Sequence, residues 1–131
     1  MKSILFVCVE NSNRSQMAEA FARLLGTGMV EAASAGSRPS GRINPKAIAA
    51  MQEIGYDLTT HASKGLESFA GRHVDVAVTM GCGDECPAVR AGRRLEWQIP
   101  DPRDMGPDEF REVRDLIRRR VEELLAELAR S

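Results

Sequence analysis

The feature that most constrains this chain is the run Ile4-Leu5-Phe6-Val7, which is continuously apolar and not alternating. A strand with one wet face alternates, so an unbroken run of this kind reads as a strand buried on both faces, as in a parallel sheet. Such a sheet needs helices to cover it, and the following residues supply them. Ser15 to Leu25 places Met17, Ala20, Phe21, Leu24 and Leu25 at helical spacing and stops at Gly26. Met29 to Ala33 reads as a second strand, and a polar Arg/Pro/Gly/Ser loop follows as far as Arg42. Asn44 caps a helix opened by Pro45 and running through Ala47, Ile48, Met51 and Ile54 to Gly55. Ser63 to Ala70 carries a weaker helical pattern, Val74 to Val78 is β-rich, and Leu95 to Ile99 reads as the fourth strand. From Pro107, the residues Phe110, Val113, Ile117, Val121, Leu124 and Leu128 recur in steps of three and four, one long amphipathic helix. The alternation predicts an α/β fold, a single parallel β-sheet of about four strands flanked by helices on both faces. With 131 residues and no internal repeat, one domain is expected over 1–131.

Eighteen Lys+Arg against nineteen Asp+Glu leave a formal charge of −1, so no general field attracts nucleic acid or an acidic membrane. Any anion must be held locally. No apolar run approaches the roughly 20 residues that span a bilayer, which points to a cytoplasmic protein; a monomer is expected. Three cysteines, an odd number, do not make a secreted disulfide framework. They read as catalytic, metal-binding or inert thiols.

Between the first strand and first helix lies Cys8-Val9-Glu10-Asn11-Ser12-Asn13-Arg14-Ser15, a Cys-x5-Arg-Ser spacing. A loop of this length entering a helix N-terminus can turn several backbone N–H groups inward as an anion nest reinforced by the helix dipole. Arg14 adds a planar fork that meets two oxygens of a tetrahedral oxyanion. Cys8 at the base of the loop sits where those donors favour the nucleophilic thiolate. Ser15 is positioned to donate a hydrogen bond to it, and Asn11 to brace a left-handed turn. The competing reading is a buried cysteine followed by an ordinary polar turn. Loops 8–14, 81–87 and 100–104 all follow predicted strands and should share the carboxyl edge of the sheet, where ligands bind in such folds.

With those residues in view, the chain resembles the low-molecular-weight protein tyrosine phosphatase fold family and, within it, the thioredoxin-coupled arsenate reductases. The resemblance rests on Cys8-x5-Arg14-Ser15, Asn11 inside it, Glu19, Ser34-Ala35-Gly36, the Cys82/Cys86 loop and Asp101-Pro102. It implies that Cys8 is the nucleophile, Arg14 the oxyanion clamp and Asp101 the general acid, a role aspartate fills only if held over the oxyanion. From spacing alone Asp101 is a turn residue between two prolines. The substrate-binding residues are then Glu10, Asn11, Ser12, Asn13, Arg14 and Ser15, with the Glu10 side chain expected to point outward. Some relatives bind potassium through positions matching Asn11, Glu19, Ser34 and an aspartate. Here the last is Lys64, whose ammonium is expected to pair with Glu19 in the ion's place.

Cys82 and Cys86 lie four residues apart in a loop with two glycines, and in a helical turn their α-carbons would be about 6 Å apart. If Cys82 also reaches Cys8, the three thiols form a relay that passes a disulfide from 8–82 to 82–86. Zinc would need about four ligands, and neither His61 nor His73 stands in a Cys/His pattern, so no metal is expected. Inert small hydrophobes are the other reading of this pair. Both histidines are expected at the surface or helix ends, and Trp97 and Tyr56 in the core or at its rim. Two departures stand out: relatives usually space the relay pair more widely, and phosphatases of the family often carry a cysteine where Asn13 stands. The resulting expectation is an arsenate reductase that binds arsenate or phosphate-like oxyanions, holds no cofactor and is recycled by an external thiol, thioredoxin by resemblance. The alternatives are a small phosphatase using the same Cys8, Arg14 and Asp101, a thiol transferase using a small thiol, and a non-catalytic oxyanion or redox sensor.

Overall fold

A computed structural model describes residues 1–69, 71–81 and 90–130. Four strands, β1 (Lys2–Cys8), β2 (Val30–Gly36), β3 (His73–Thr79) and β4 (Arg90–Glu96), form one all-parallel sheet in the order β2-β1-β3-β4. The run that reads as doubly buried is central, and Ile4 to Val7 are at most 1% exposed. The chain steps from β1 out to β2 and then back across to β3. The carboxyl end of β1 therefore lies at the reversal of strand order, where open α/β sheets leave a crevice.

Helices α1 (Arg14–Leu25), α2 (Pro45–Gln52) and α3 (Pro107–Arg130) begin where cap, proline and periodicity place them. Their apolar faces join Ile4, Phe6, Val76 and Val78 in one large core, with Met17 and Phe21 of α1, Met51 of α2 and Ile117, Val121 and Leu124 of α3. The opposite face is covered more thinly. Leu5, Val7, Ala35 and Ala77 pack with Phe69 and Leu66, from a short 3-10 turn over Leu66–Phe69 that stands where a helix over Ser63 to Ala70 is expected. Both faces are thus covered, but among the described residues the three α-helices share one of them.

The fourth strand differs from the sequence expectation of Leu95 to Ile99. It spans Arg90–Glu96 and is largely exposed. As an edge strand it needs no apolar pattern, and charged side chains are what edges carry. The apolar signal at 95–99 marks the exit from the strand, where Trp97 N–H still donates to Thr79 O at 2.9 Å and Ile99 is buried. Trp97 packs on Phe6, ring centres 5.8 Å apart. Among the described residues no helix is long and apolar enough to cross a membrane.

Candidate active site

From Cys8, which is 3% exposed, the chain turns through residues 9–13 into α1. Six successive carbonyl oxygens of this turn are engaged. Those of Cys8, Val9, Glu10 and Ser12 accept from the N–H groups of Ser37, Arg38, Ser40 and Asn44 at 3.2, 2.8, 3.0 and 3.1 Å. Asn11 O accepts from Gln16 Nε2 at 3.0 Å, and Asn13 O from Met17 N–H at 3.0 Å. In a planar trans peptide the N–H opposes the C=O. Holding these carbonyls therefore turns the N–H groups of Val9 to Arg14 the other way, the geometry of a nest at a helix N-terminus. Gly36 permits the close crossing at the end of β2, since a Cβ there would meet Val9 O at 2.5 Å and Asn11 N at 2.9 Å.

Asn11 has a φ of 52°, the left-handed position expected of it. Its amide is oriented by partners of fixed polarity. Oδ1 accepts from Lys64 N–H at 2.9 Å and Gln16 Nε2 at 2.9 Å, so Nδ2 is the end that donates to Ser15 Oγ at 2.8 Å. With its oxygen accepting there, the Ser15 hydroxyl has its own proton free for Cys8 Sγ, 2.8 Å away. A hydrogen bond donated to a cysteine sulfur favours the thiolate, the nucleophilic form. Asn13 is 5% exposed, and its Oδ1 has no hydrogen-bond partner among the described residues.

Arg14 is held where the three strand-end loops meet. Nη1 donates to Ile99 O at 3.1 Å, and Nη2 lies 3.8 Å from Asp101 Oδ2. Gly81, with a φ of 81°, closes in from β3, where a Cβ would meet Arg14 Nη1 at 2.6 Å. Asp101 is half exposed, its Oδ1 accepting from Arg103 N–H at 3.1 Å, so this carboxylate stands open to solvent beside the Arg14 guanidinium. The Glu10 side chain points away from the loop toward Arg103, 3.4 Å from its Nη1. Cys82 and Cys86 fall outside the described residues.

Behind the loop is a buried polar cluster that the sequence shows only in part. The Glu19 carboxylate, 2% exposed, accepts from Ser34 Oγ at 2.5 Å and pairs with Arg23 at 2.7 Å. The Lys64 ammonium stands 4.0 Å from Glu19 Oε1, the pairing expected of it. His61 corrects the expectation of a surface position: its side chain is 2% exposed. Gln16 Nε2 donates to Asn11 and to Ala62 O, which leaves Gln16 Oε1 to accept from His61 Nδ1 at 2.9 Å. Tyr56 Oη lies 2.7 Å from His61 Nε2 and donates to it in that tautomer. Burial pushes the His61 pKa below its ordinary value and keeps the ring neutral, against the opposing pull of Glu19. The signal available in sequence was Gln16, a polar residue on the core-facing side of the first helical turn. His73 is exposed, as expected. Among the described residues no group of three or more His, Cys, Asp or Glu could hold a metal ion.

A parallel sheet, a Cys-to-Arg loop closed on a helix N-terminus and an aspartate beside the arginine define a class. Residues 3–131 match the low molecular weight phosphotyrosine protein phosphatase family, and the chain belongs to it. Within the family it is similar to arsenate reductases. It is 39% identical over 132 residues to a glutaredoxin arsenate reductase of Synechocystis sp., covering 98% of this chain and 100% of the relative. A solved arsenate reductase in its phosphate-binding state superposes with a TM-score of 0.88 at 40% identity, covering 98% and 99% of the two chains. A thioredoxin-dependent arsenate reductase of Corynebacterium glutamicum superposes with a TM-score of 0.78 at 30% identity, covering 98% of this chain and 62% of that one.

Proposed function

We infer that the chain is an enzyme that reduces arsenate to arsenite with electrons from an external thiol. The observation that carries the reading is the Ser15 hydroxyl, 2.8 Å from Cys8 Sγ and committed to it by Asn11, inside a loop whose carbonyls are all engaged elsewhere. That arrangement supplies a nucleophile and an oxyanion site together. The relatives named arsenate reductase, similar over nearly the whole chain, favour reduction over phosphate-ester hydrolysis. So does the sequence pair Cys82 and Cys86, for which a hydrolase has no use.

In this reading the Cys8 thiolate attacks arsenic while Arg14 and the loop N–H groups hold the remaining oxygens. Asp101 gives a proton to the departing oxygen, which leaves as water. Cys82 then attacks Cys8 Sγ, and the S–As bond breaks with its electron pair on arsenic. Arsenite departs and an 8–82 disulfide remains. Cys86 attacks Cys82 and frees Cys8, leaving 82–86 for the external reductant, thioredoxin in this proposal. Such a thiol cycle suits a reducing cytoplasm. Cys86→Ser should trap 8–82 after one arsenate turnover, seen by mass spectrometry of non-reduced peptides, whereas the wild type accumulates 82–86. Cys82→Ser should stop thioredoxin-coupled turnover yet leave Cys8-dependent hydrolysis of an aryl phosphate in place. Full thioredoxin-coupled activity in both variants would exclude the relay.

A further inference from the structure

Asp101 stands on a segment with no helix or strand of its own, residues 97–106 between β4 and α3. It lies between Pro100 and Pro102, and a proline brings no N–H with which to anchor the backbone. Its place is set largely from outside the segment. Ile99 O accepts from Arg14 Nη1 at 3.1 Å. Lys46 Nζ, from the first turn of α2, donates to Arg103 O at 3.1 Å and to Met105 O at 3.2 Å. Arg103 in turn gives its N–H to Asp101 Oδ1 at 3.1 Å and its guanidinium to Glu10 of the catalytic turn, Nη1 to Oε1 at 3.4 Å. One bend thus joins α2, the acid and the turn that carries the nucleophile. Neither cation is placed for stability. A cation in the first turn of a helix opposes the helix dipole, and no acidic residue stands in that turn to offset Lys46. The Glu10 and Arg103 side chains are 40% and 62% exposed, where an ion pair adds little.

We propose that Lys46 and the Glu10–Arg103 pair are positioning residues for proton delivery: they hold the bend at residues 101–105 against the catalytic turn and so keep the Asp101 carboxyl over the oxygen that leaves arsenic. The proposal rests on Asp101 as the proton donor. Arg14 Nη2 is 3.8 Å from Asp101 Oδ2, so a small swing of the bend decides whether the carboxyl shares the oxyanion with the guanidinium or faces water. Arsenate itself is held by Arg14 and the loop N–H groups. Loss of the tether therefore slows the chemical step and leaves affinity in place.

Single turnovers of the reduced protein, followed by arsenite release, need no external thiol and give a limiting rate and a half-saturating arsenate concentration. Asp101→Asn, the reference, should lower the limiting rate roughly a hundred-fold. Lys46→Met keeps the aliphatic stem and loses the ammonium; it should lower the limiting rate roughly ten-fold with half-saturation unchanged, and Lys46→Arg should recover most of that loss. Glu10→Gln and Arg103→Gln should each cost roughly three-fold and together no more than either alone, since both remove one ion pair. In the Asp101→Asn background, Lys46→Met should cost less than about two-fold more, because no proton is left to position, whereas damage to the fold would cost as much in either background. Equal losses in both backgrounds overturn the proposal, and additive losses at Glu10 and Arg103 overturn their part in it. Lys46→Met at the wild-type rate beside a slow Asp101→Asn overturns the tether and leaves Asp101 as the acid. Asp101→Asn at the wild-type rate overturns both.

Discussion

Replacing Asn11 tests the logic of the catalytic turn, because this side chain does two separable things. It holds a backbone at a φ of 52°, and its amide bonds Lys64 N–H, Gln16 and Ser15. Losing three hydrogen bonds at about 1 kcal/mol each costs about 3 kcal/mol. An alanine must also occupy the left-handed region, adding about 1 kcal/mol or more. Glycine loses the same bonds but adopts that backbone freely, apart from a smaller entropic cost. Asn11→Ala is therefore expected to destabilise the protein by about 4 kcal/mol and Asn11→Gly by about 3 kcal/mol. Urea denaturation followed by fluorescence of Trp97, the single tryptophan, reads both. Both variants should also lose arsenate turnover, because the Ser15 hydroxyl is no longer committed to Cys8. The informative quantity is the order, since glycine seldom stabilises more than alanine outside positive φ. Alanine outlasting glycine, or both variants within about 1 kcal/mol of wild type, would refute the account, because lost buried hydrogen bonds alone should exceed that.

Arg14→Lys should reduce kcat/KM for arsenate by roughly a hundred-fold, since a point charge cannot reproduce a two-pronged contact; a merely two-fold change in steady-state assays would make Arg14 structural. Glu53, which joins α2 to α3, has its carboxyl held at about 2 instead of the ordinary 4.5, chiefly by hydrogen bonds from Arg111 and then Arg114. A carboxylate depressed in the folded state stabilises above its unfolded value and loses that contribution as pH falls through the folded one. The gap in urea midpoint between wild type and Glu53→Gln should thus be full near neutrality and close between 4.5 and about 2; a gap independent of pH would show that the ion pairs are not its source.

Where the physics is local, the chain is legible. β1 shows in an unbroken apolar run, α3 in steps of three and four, and α2 in an Asn-Pro start whose cap is realised, with Asn44 Oδ1 accepting from Lys46 N–H. The Cys8 to Ser15 turn shows too, down to the Asn11 backbone and the Ser15 hydrogen bond. β4 was displaced because an edge strand is defined by its neighbour and not by its own apolar content. The burial of His61 is a tertiary matter that its own segment does not show. A 3-10 turn over Leu58–Thr60, started by Asp57, delivers the ring beneath α1, where Gln16 and Tyr56 receive it. Nothing in the neighbouring letters encodes that meeting. The reverse holds for Cys82 and Cys86, which are plain in sequence and lie outside the described residues.

The segment from Ser37 to Asn44 has the composition of a stretch where evolution or an engineer would add or delete residues freely. Four of its N–H groups, those of Ser37, Arg38, Ser40 and Asn44, donate in turn to the carbonyls of Cys8, Val9, Glu10 and Ser12. An extra residue would slip this ladder out of step and release carbonyl oxygens to swing toward the space an oxyanion needs. Length, more than side-chain identity, is therefore what this surface loop must conserve, and a splice or tag placed there would act on the chemistry of Cys8 without touching it.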